Sequence, residues 1–278
     1  MKKLPSLFAF CFGILPIHQA LSWDSEPLSI STNSEQSKLF SDYAKFYTEA
    51  QEHLEHIINS NFNSNSKKIE QLSSLFVDVP YVANQLIGDH QTNEQLVIKF
   101  GELDCFTYLD YVEALRKSYR LEDFKHNLIK TRYIESKIDF ISRRHFFSDW
   151  VSEKTYNAAD VTTELSNSSI SVVKKLNQKA SGGVYLVGLP IKERTITYIP
   201  SENVDKAVLQ NMKNGDYVGA YTDIAGLDVT HTGIFIQTDN GPVYRNASSK
   251  SANNRVVDTP FLDYIKTIPG IVVYRAVD

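Results

Sequence analysis

The hydrophobic periodicity of the chain changes near Gly183, and this change constrains the fold more than any other feature of the sequence. Before that point, apolar residues recur at helical spacing and predict helices over residues 34–60, 67–76, 105–120 and 121–129. After it, β-branched residues with a period of two predict strands at 184–187, 195–199, 216–222, 232–238, 243–247 and 271–275. The polar stretch 155–181 is expected to hold a helix flanked by loops. Helices first and strands later predict an α+β domain with an antiparallel sheet.

The first 22 residues have the three parts of a secretory signal peptide. Lys2 and Lys3 precede an apolar run over residues 4–17, and Ala20-Leu21-Ser22 supplies small residues before a cleavage site. Because the run is too short to span a bilayer, we expect export to the periplasm or the medium and no integral membrane span. We therefore divide the chain into a signal peptide at 1–22, an N-terminal segment with a helical extension at 23–76, and a main domain at 77–278.

The charge balance argues against nucleic acid as a partner. The 278 residues carry a formal net charge of −4, and no long run of Lys or Arg is present to follow a phosphate backbone. With 42% hydrophobic and 22% charged residues, the composition is that of a folded protein that can bury a sizeable core.

Cys105 is the single cysteine that remains after removal of the predicted signal peptide, which contains Cys11. Asp104 can serve as an N-cap, so Cys105 is predicted to occupy the first position of a helix. At that position, unpaired backbone N–H groups and the helix dipole favour a thiolate. We therefore interpret Cys105 as a catalytic nucleophile. The alternative interpretation is a buried, inert thiol, because cysteine is among the most buried residue types.

A thiol nucleophile needs a base, and His231 is the histidine best placed to supply one. It opens a predicted strand directly after a loop, where its side chain can project past the sheet edge toward a helix terminus. A cysteine on an early helix and a histidine on a later strand match the order found in thiol proteases. A structural, hydrogen-bonded histidine is the alternative interpretation.

Asn246 is the candidate for the group that orients His231. The Asn240-Gly241 pair predicts a two-residue hairpin loop, which puts His231 and Asn246 on the same face of the sheet. In a flat ladder Asn246 would lie opposite Phe235, so contact with His231 requires a bulge or a strongly coiled hairpin. Asp228 and Ser248 are alternatives for this role.

A dense cluster of charged and aromatic residues precedes the strand-rich half. Arg143, Arg144, His145, Asp149 and Trp150 lie within eight positions of one another, as the lining of a polar-ligand cleft would require. The two arginines could bind carboxylate or lactyl oxygens, and Trp150 could stack on a sugar. A solvated turn over a buried Trp150 is the alternative.

Five stretches together resemble a known family, the N-acetylmuramoyl-L-alanine amidase-like cell-wall hydrolases of the NlpC-like, papain-like superfamily. They are PYVAN at 80–84, DCFTY at 104–108, RHFFSDW at 144–150, NGDYV at 214–218 and THTGI at 230–234. The resemblance implies a papain-like α+β fold whose nucleophile helix packs on the sheet, and a Cys105–His231 dyad with a polar third member. It also implies that Tyr81 lines the site. Related enzymes often have His where this chain has Asn246.

The resemblance further implies the substrate, which is peptidoglycan or a muropeptide cleaved between N-acetylmuramic acid and L-Ala. The reaction would pass through a thioester on Cys105 and would require no metal or organic cofactor. A closely related alternative is an endopeptidase that cuts between D-Glu and the diamino acid. An alternative of another class is a non-enzymatic envelope protein that binds muropeptides. An exported effector that modifies host amides or lipids would retain the same nucleophile.

Overall fold

The computed structural model describes residues 52, 54–58, 60, 62, 64–152 and 157–277. The helices have the following bounds: α1 Asn65–Ser74, α2 Cys105–Arg116, α3 Asp123–Arg132, α4 Asp149–Ser152, α5 Thr162–Leu165, α6 Lys206–Asn211 and α7 Phe261–Ile265. The strands are β1 Ala158–Asp160, β2 Ile170–Leu176, β3 Lys192–Pro200, β4 Tyr217–Tyr221, β5 Val229–Thr238, β6 Gly241–Ala247, β7 Val256–Pro260 and β8 Gly270–Ala276. The predicted signal peptide and most of the predicted helix 34–60 lie outside the described residues, although 54–58 are helical.

The strands form one eight-stranded antiparallel sheet. Seven of them follow the order β2-β3-β8-β4-β5-β6-β7, and β1 pairs with β8 beside this path. The prediction of a mixed α/β domain with an antiparallel sheet is therefore confirmed. Five of the six predicted strands correspond to β3, β4, β5, β6 and β8.

Both faces of the centre of the sheet are buried, because helices cover each of them. Ile234 and Ile236 of β5 pack with residues of α1, α2 and α3, whereas Phe235 between them packs with residues of α5, α6 and α7. Successive side chains of a strand point to opposite faces, so β5 contributes alternately to the two cores. Strands that are buried on both faces form continuous apolar runs, as in Ile234-Phe235-Ile236.

Helix α2 is held at its start by a capping box. The Asp104 carboxylate accepts hydrogen bonds from the backbone N–H groups of Phe106 (3.0 Å) and Thr107 (2.7 Å), and the Asp104 N–H donates to Thr107 Oγ1 (2.9 Å). The helix ends at Arg116, four residues before the predicted end. Beyond that point, the N–H groups of residues 119 and 120 donate to the Asp123 carboxylate at the start of α3, so the chain begins a new helix.

Two predictions about the middle of the chain are wrong. A helix flanked by loops is expected over 155–181, but the stretch contains β1 and β2 with only the short α5 between them. Strand β2 pairs along its whole length with β3 at the sheet edge, where most of its side chains are exposed and give no clear apolar period. Residues 184–187 form a loop, because Asn177 Nδ2 donates to the Leu186 carbonyl (3.0 Å) and the Leu186 N–H donates to Asn177 Oδ1 (2.7 Å).

Candidate active site

Cys105 is the first residue of α2, as predicted, and its thiol is buried with 3% of the residue exposed. Its backbone carbonyl accepts a hydrogen bond from Thr232 Oγ1 on β5 (3.0 Å). Thr232 directly follows His231, so this bond joins the start of the helix to the strand that carries the histidine. The Asp104 cap and the Thr232 bond together hold the Cys105 backbone from two sides.

His231 lies between Cys105 and Asn246 and interacts with both side chains. It is half-buried and forms side-chain hydrogen bonds with the Cys105 thiol and with Asn246, at 2.9 Å between Nε2 and Oδ1 for the latter. The pairing of β4 with β5 shifts beside His231, because Ala220 pairs with His231 whereas Tyr221 pairs with Val229. A bulge therefore leaves one extra residue of β5 next to the histidine, a feature that commonly redirects a side chain.

The amide of Asn246 has a defined orientation. Its Nδ2 donates to the Tyr244 carbonyl (2.9 Å) and to Thr259 Oγ1 (3.2 Å), so its Oδ1 is the atom that faces His231. An amide oxygen only accepts hydrogen bonds, and His231 Nε2 must therefore carry the proton. The other ring nitrogen, Nδ1, is then an acceptor available to the Cys105 thiol.

The register of the β5–β6 hairpin explains how Asn246 reaches His231. Thr238 pairs with Gly241, so the loop is 239–240 and not the predicted 240–241. Phe235 consequently lies opposite Tyr244 and not opposite Asn246. Because of this shift, Asn246 lies two positions, and not four, from the point opposite His231. Side chains in adjacent strands can bridge this diagonal separation.

The two alternative orienting residues have other partners. The Asp228 carboxylate accepts hydrogen bonds from the backbone N–H groups of Ser148 (2.7 Å) and Val229 (2.8 Å). Ser248 follows β6, and its backbone N–H donates to the Arg255 carbonyl (2.9 Å). Of the three candidates, Asn246 is the one with a hydrogen bond to His231.

The electrostatics of the site favour a charged histidine. Burial lowers the pKa of His231, but the adjacent Cys105 charge and the hydrogen bonds with Cys105 and Asn246 outweigh it, so the pKa lies above its usual value. Burial, followed by the charge of Cys105, raises the pKa of Asp104 to about 6. Such an arrangement can stabilise a thiolate–imidazolium pair at the helix start.

Tyr81 lies beside the strand-like segment that leads into Cys105. It forms a parallel bridge with Leu103, and the Val82 N–H donates to the Leu103 carbonyl (2.9 Å). The Tyr81 N–H donates to the Asn254 carbonyl (2.9 Å), in the loop that follows β6. Tyr81 is therefore close to the segment that leads into Cys105, and its role in lining the site stays a prediction.

The side chains of the cluster around 143–150 have partners within the protein. Arg143 forms an ion pair with Glu94 (2.9 Å), and Arg144 donates to the carbonyls of Lys130 (2.9 Å) and Thr131 (3.0 Å). Trp150 is fully buried among aromatic rings, in a position that offers no face to a sugar.

Asp149 and His145 complete this cluster. One Asp149 oxygen accepts from the backbone N–H groups of His145 and Phe146 (3.0 Å each), and the other pairs with Arg194 (2.7 Å). His145 Nε2 lies 2.6 Å from the Phe140 carbonyl, and burial followed by the charge of Arg143 lowers its pKa to about 4. In this cluster the side chains make hydrogen bonds and packing contacts within the protein, and the ligand contacts of Arg143, Arg144, His145, Asp149 and Trp150 stay a prediction.

Three residues near His231 were not predicted from the sequence. Tyr244 and Tyr264 stack on each other with ring centroids 4.5 Å apart, and their centroids lie 6.0 and 6.3 Å from that of His231. Lys250 lies over the Tyr264 ring, 5.6 Å from its centroid. They come from β6, the following loop and α7, so only the folded arrangement brings them together.

The described part of the chain contains no cluster of three or more His, Cys, Asp or Glu residues that could hold a metal ion. Within the same residues, every helix is too short or too polar to cross a membrane.

Comparison with known proteins identifies the family. Residues 71–271 match the model of the AmiA-like family, described as N-acetylmuramoyl-L-alanine amidase-like. The chain belongs to this amidase-like family of peptidoglycan hydrolases, which confirms the resemblance noted in the sequence. No curated protein matches the chain.

The chain is also similar to several solved structures. An N-acetylmuramoyl-L-alanine amidase from Bacteroides uniformis is 28% identical, with a TM-score of 0.64 over 77% of this chain and 99% of that one. A Bacteroides fragilis protein named as a candidate xylanase is 29% identical, with a TM-score of 0.60 over 73% of this chain and 98% of that one. A Legionella pneumophila protein shares the fold at 21% identity, with a TM-score of 0.66 over 84% and 97%.

Proposed function

We propose that this protein is a cysteine-dependent hydrolase that cleaves the amide between N-acetylmuramic acid and L-Ala through a thioester on Cys105. The proposal includes a papain-like, NlpC-like arrangement in residues 77–278, in which α2 is the nucleophile helix. Cys105, His231 and Asn246 are the catalytic residues, and Tyr81 lines the site.

The hydrogen-bonded series from Cys105 through His231 to Asn246 is the observation that carries this proposal. A nucleophile, a base in contact with it and a third group that orients the base are the parts that nucleophilic catalysis requires. The charge of Cys105 is the largest contribution that raises the pKa of His231, so the two side chains interact electrostatically, as the proposed thiolate–imidazolium pair requires. A buried, inert thiol would have no need of an oriented histidine.

In the proposed reaction, His231 Nδ1 takes the proton of the Cys105 thiol, and the thiolate attacks the amide carbonyl carbon. The Cys105 backbone N–H at the start of α2 donates to the developing oxyanion, a contribution of about 3 kcal/mol for one such donor. His231 then gives its proton to the departing L-Ala nitrogen, which leaves an acyl thioester. Water, deprotonated by His231, attacks the thioester and releases the muramic acid carboxylate and the Cys105 thiol.

The proposed substrate lies in the cell envelope, and we extend the proposal to the route by which the protein reaches it. A signal peptide at residues 1–22 would direct export to the periplasm or the medium. Residues 23–76 would then form the N-terminal segment and helical extension of the exported protein.

The test is incubation of the purified protein with intact muropeptides, followed by mass analysis of the products. We expect free N-terminal L-Ala from the wild type and no turnover from Cys105→Ala. The two proteins should have the same circular dichroism spectrum, which shows that the variant is folded. Release of a diamino acid terminus would instead identify an endopeptidase. Retained cleavage by Cys105→Ala would overturn the mechanism, and absence of turnover by the wild type under reducing conditions would favour a binding protein.

A further inference from the structure

Lys250 is an exposed cation at the rim of the site formed by Cys105 and His231. Its Nζ lies 5.6 Å from the centroid of the Tyr264 ring, and that centroid lies 6.3 Å from the centroid of His231. Burial and the charge of Lys250 both lower the pKa of His231, whereas Cys105 and Asn246 raise it. Lys250 is therefore close enough to the site to act on charged groups within it.

The backbone of Lys250 is held in place. Its carbonyl accepts hydrogen bonds from the N–H groups of Asn253 (2.8 Å) and Asn254 (2.7 Å), and the Asn254 carbonyl accepts from the Tyr81 N–H (2.9 Å). The loop that carries Lys250 thus connects the end of β6, where Asn246 lies, to Tyr81. Both ends of this loop are attached to residues of the candidate site.

The side chain of Lys250 rests on a supported aromatic surface. Tyr264 is half-buried in α7, and its ring stacks on the buried Tyr244 at 4.5 Å between centroids. A lysine ammonium over a tyrosine face is attracted by the ring quadrupole and remains available to water and ligands. Tyr264 therefore favours one position of the ammonium without neutralising it.

The charge of Lys250 differs from that of nearby cations because no carboxylate among the described residues balances it. Arg255 pairs with Asp78 (3.0 Å), and Lys266 pairs with Asp263 (3.0 Å) on α7. Over the part of the chain that the structure describes, Lys250 makes no ion pair. An uncompensated cation beside a catalytic histidine is suited to bind an anionic group of the substrate.

The position of His231 determines which half of the substrate faces Lys250. In acyl transfer the histidine protonates the leaving amine, so the leaving half of the substrate must lie next to His231. We propose that Lys250, held over Tyr264, binds a carboxylate on the leaving peptide, close to the scissile amide. This inference rests on the proposed function and adds a specificity for acidic stem peptides to it.

The test uses two N-acetylmuramoyl-L-alanyl peptides that differ in one group. One has a free carboxylate on the second stem residue, and the other has a primary carboxamide there. We expect the wild type to show a KM about 5- to 10-fold lower for the acid. Lys250→Met should raise KM for the acid by the same factor, leave kcat unchanged, and leave the carboxamide peptide unaffected, whereas Lys250→Arg should retain most of the preference.

Lys266→Met is the matched control, because it removes one positive charge near Tyr264 that Asp263 already balances. Lys266→Met should leave KM and kcat unchanged for both peptides. An equal effect of Lys250→Met on both peptides, or a wild type that does not distinguish them, would overturn the inference while leaving the hydrolase intact.

Binding separates this inference from the proposed function. Calorimetry with Cys105→Ala should show tighter binding of the acid than of the carboxamide, and Cys105→Ala/Lys250→Met should bind both alike. If the wild type cleaves neither peptide but this binding difference is present, the proposed function fails and the Lys250 site stands. If Cys105→Ala shows no preference for the acid, the Lys250 site fails.

Discussion

The surroundings of His145 and His231 differ in a way that the sequence around each does not reveal. Each histidine is half-buried and lies beside aromatic residues. His145 Nε2 lies 2.6 Å from a backbone carbonyl, and burial followed by the charge of Arg143 lowers its pKa to about 4. His231 interacts with a thiol and an amide oxygen, and its pKa is raised in spite of burial.

This contrast shows that partners, more than burial, decide what a histidine can do. Desolvation lowers the pKa of both rings. For His145 the charge of Arg143 adds to burial, and together they outweigh Asp149, whereas for His231 the charge of Cys105 and the hydrogen bonds with Cys105 and Asn246 outweigh burial. A ring that stays neutral near pH 7 and donates to a carbonyl stabilises the fold. A ring that can hold a proton beside a thiolate is suited to catalysis.

The largest expected effect is on activity. His231→Ala should lower kcat/KM for muropeptide cleavage by about 100- to 10,000-fold, because the proton acceptor and donor of the proposed reaction is lost. His145→Gln, which retains a donor toward the Phe140 carbonyl, should leave kcat/KM within about 3-fold of the wild type. Steady-state kinetics on soluble muropeptides measure both. A greater loss with His145→Gln than with His231→Ala would reverse the assignment of roles.

A second expectation concerns stability in acid. His145 has a folded pKa of about 4 against 6.5 when unfolded, so the unfolded chain binds more protons between these values and stability falls as pH decreases from 6.5 to 4. Over this pH range the free energy of unfolding of His145→Gln should fall by about 1 to 3 kcal/mol less than that of the wild type. Urea unfolding at pH 7 and pH 4.5 gives the comparison. A pH dependence identical to that of the wild type would show that His145 titrates normally.

The smallest effect is expected from Asn246, which contributes to the raised pKa of His231. Without its hydrogen bond the imidazolium is less favoured. The alkaline limit of activity of Asn246→Ala should therefore lie up to about one pH unit below that of the wild type. Asn246→Asp should move that limit to higher pH, because a carboxylate stabilises the imidazolium. Profiles of kcat/KM against pH measure the shift, and two variants that move in the same direction would contradict this role.

Much of the site could be predicted where it depends on local features. The Asp104 N-cap and the apolar period after it indicate a helix that begins at Cys105, and the structure has that helix start. The strand around His231 and the following hairpin are also local signals, and β5 and β6 correspond to them. By contrast, β2 was missed because an exposed edge strand need not alternate apolar and polar residues.

The cluster at 143–150 shows the limit of composition as a guide. Two arginines, a histidine, an aspartate and a tryptophan in one short stretch are equally compatible with a ligand cleft and with a buried network. The structure contains a network in which Glu94 pairs with Arg143, the Thr131 carbonyl accepts from Arg144, and Arg194 pairs with Asp149. Sequence proximity gives no information about such partners.

By itself, the sequence determined the two periodicities, the helix that starts at Cys105, the strand that carries His231, and membership of the amidase-like family. The tertiary structure decided which residues meet. A difference of one residue in the position of the hairpin loop changes the residue opposite Phe235 from Asn246 to Tyr244 and brings Asn246 to His231. The packing of α7 and the loop after β6 likewise brings Tyr264 and Lys250 to the same rim. Such contacts depend on register and long-range packing, which short-range patterns do not encode.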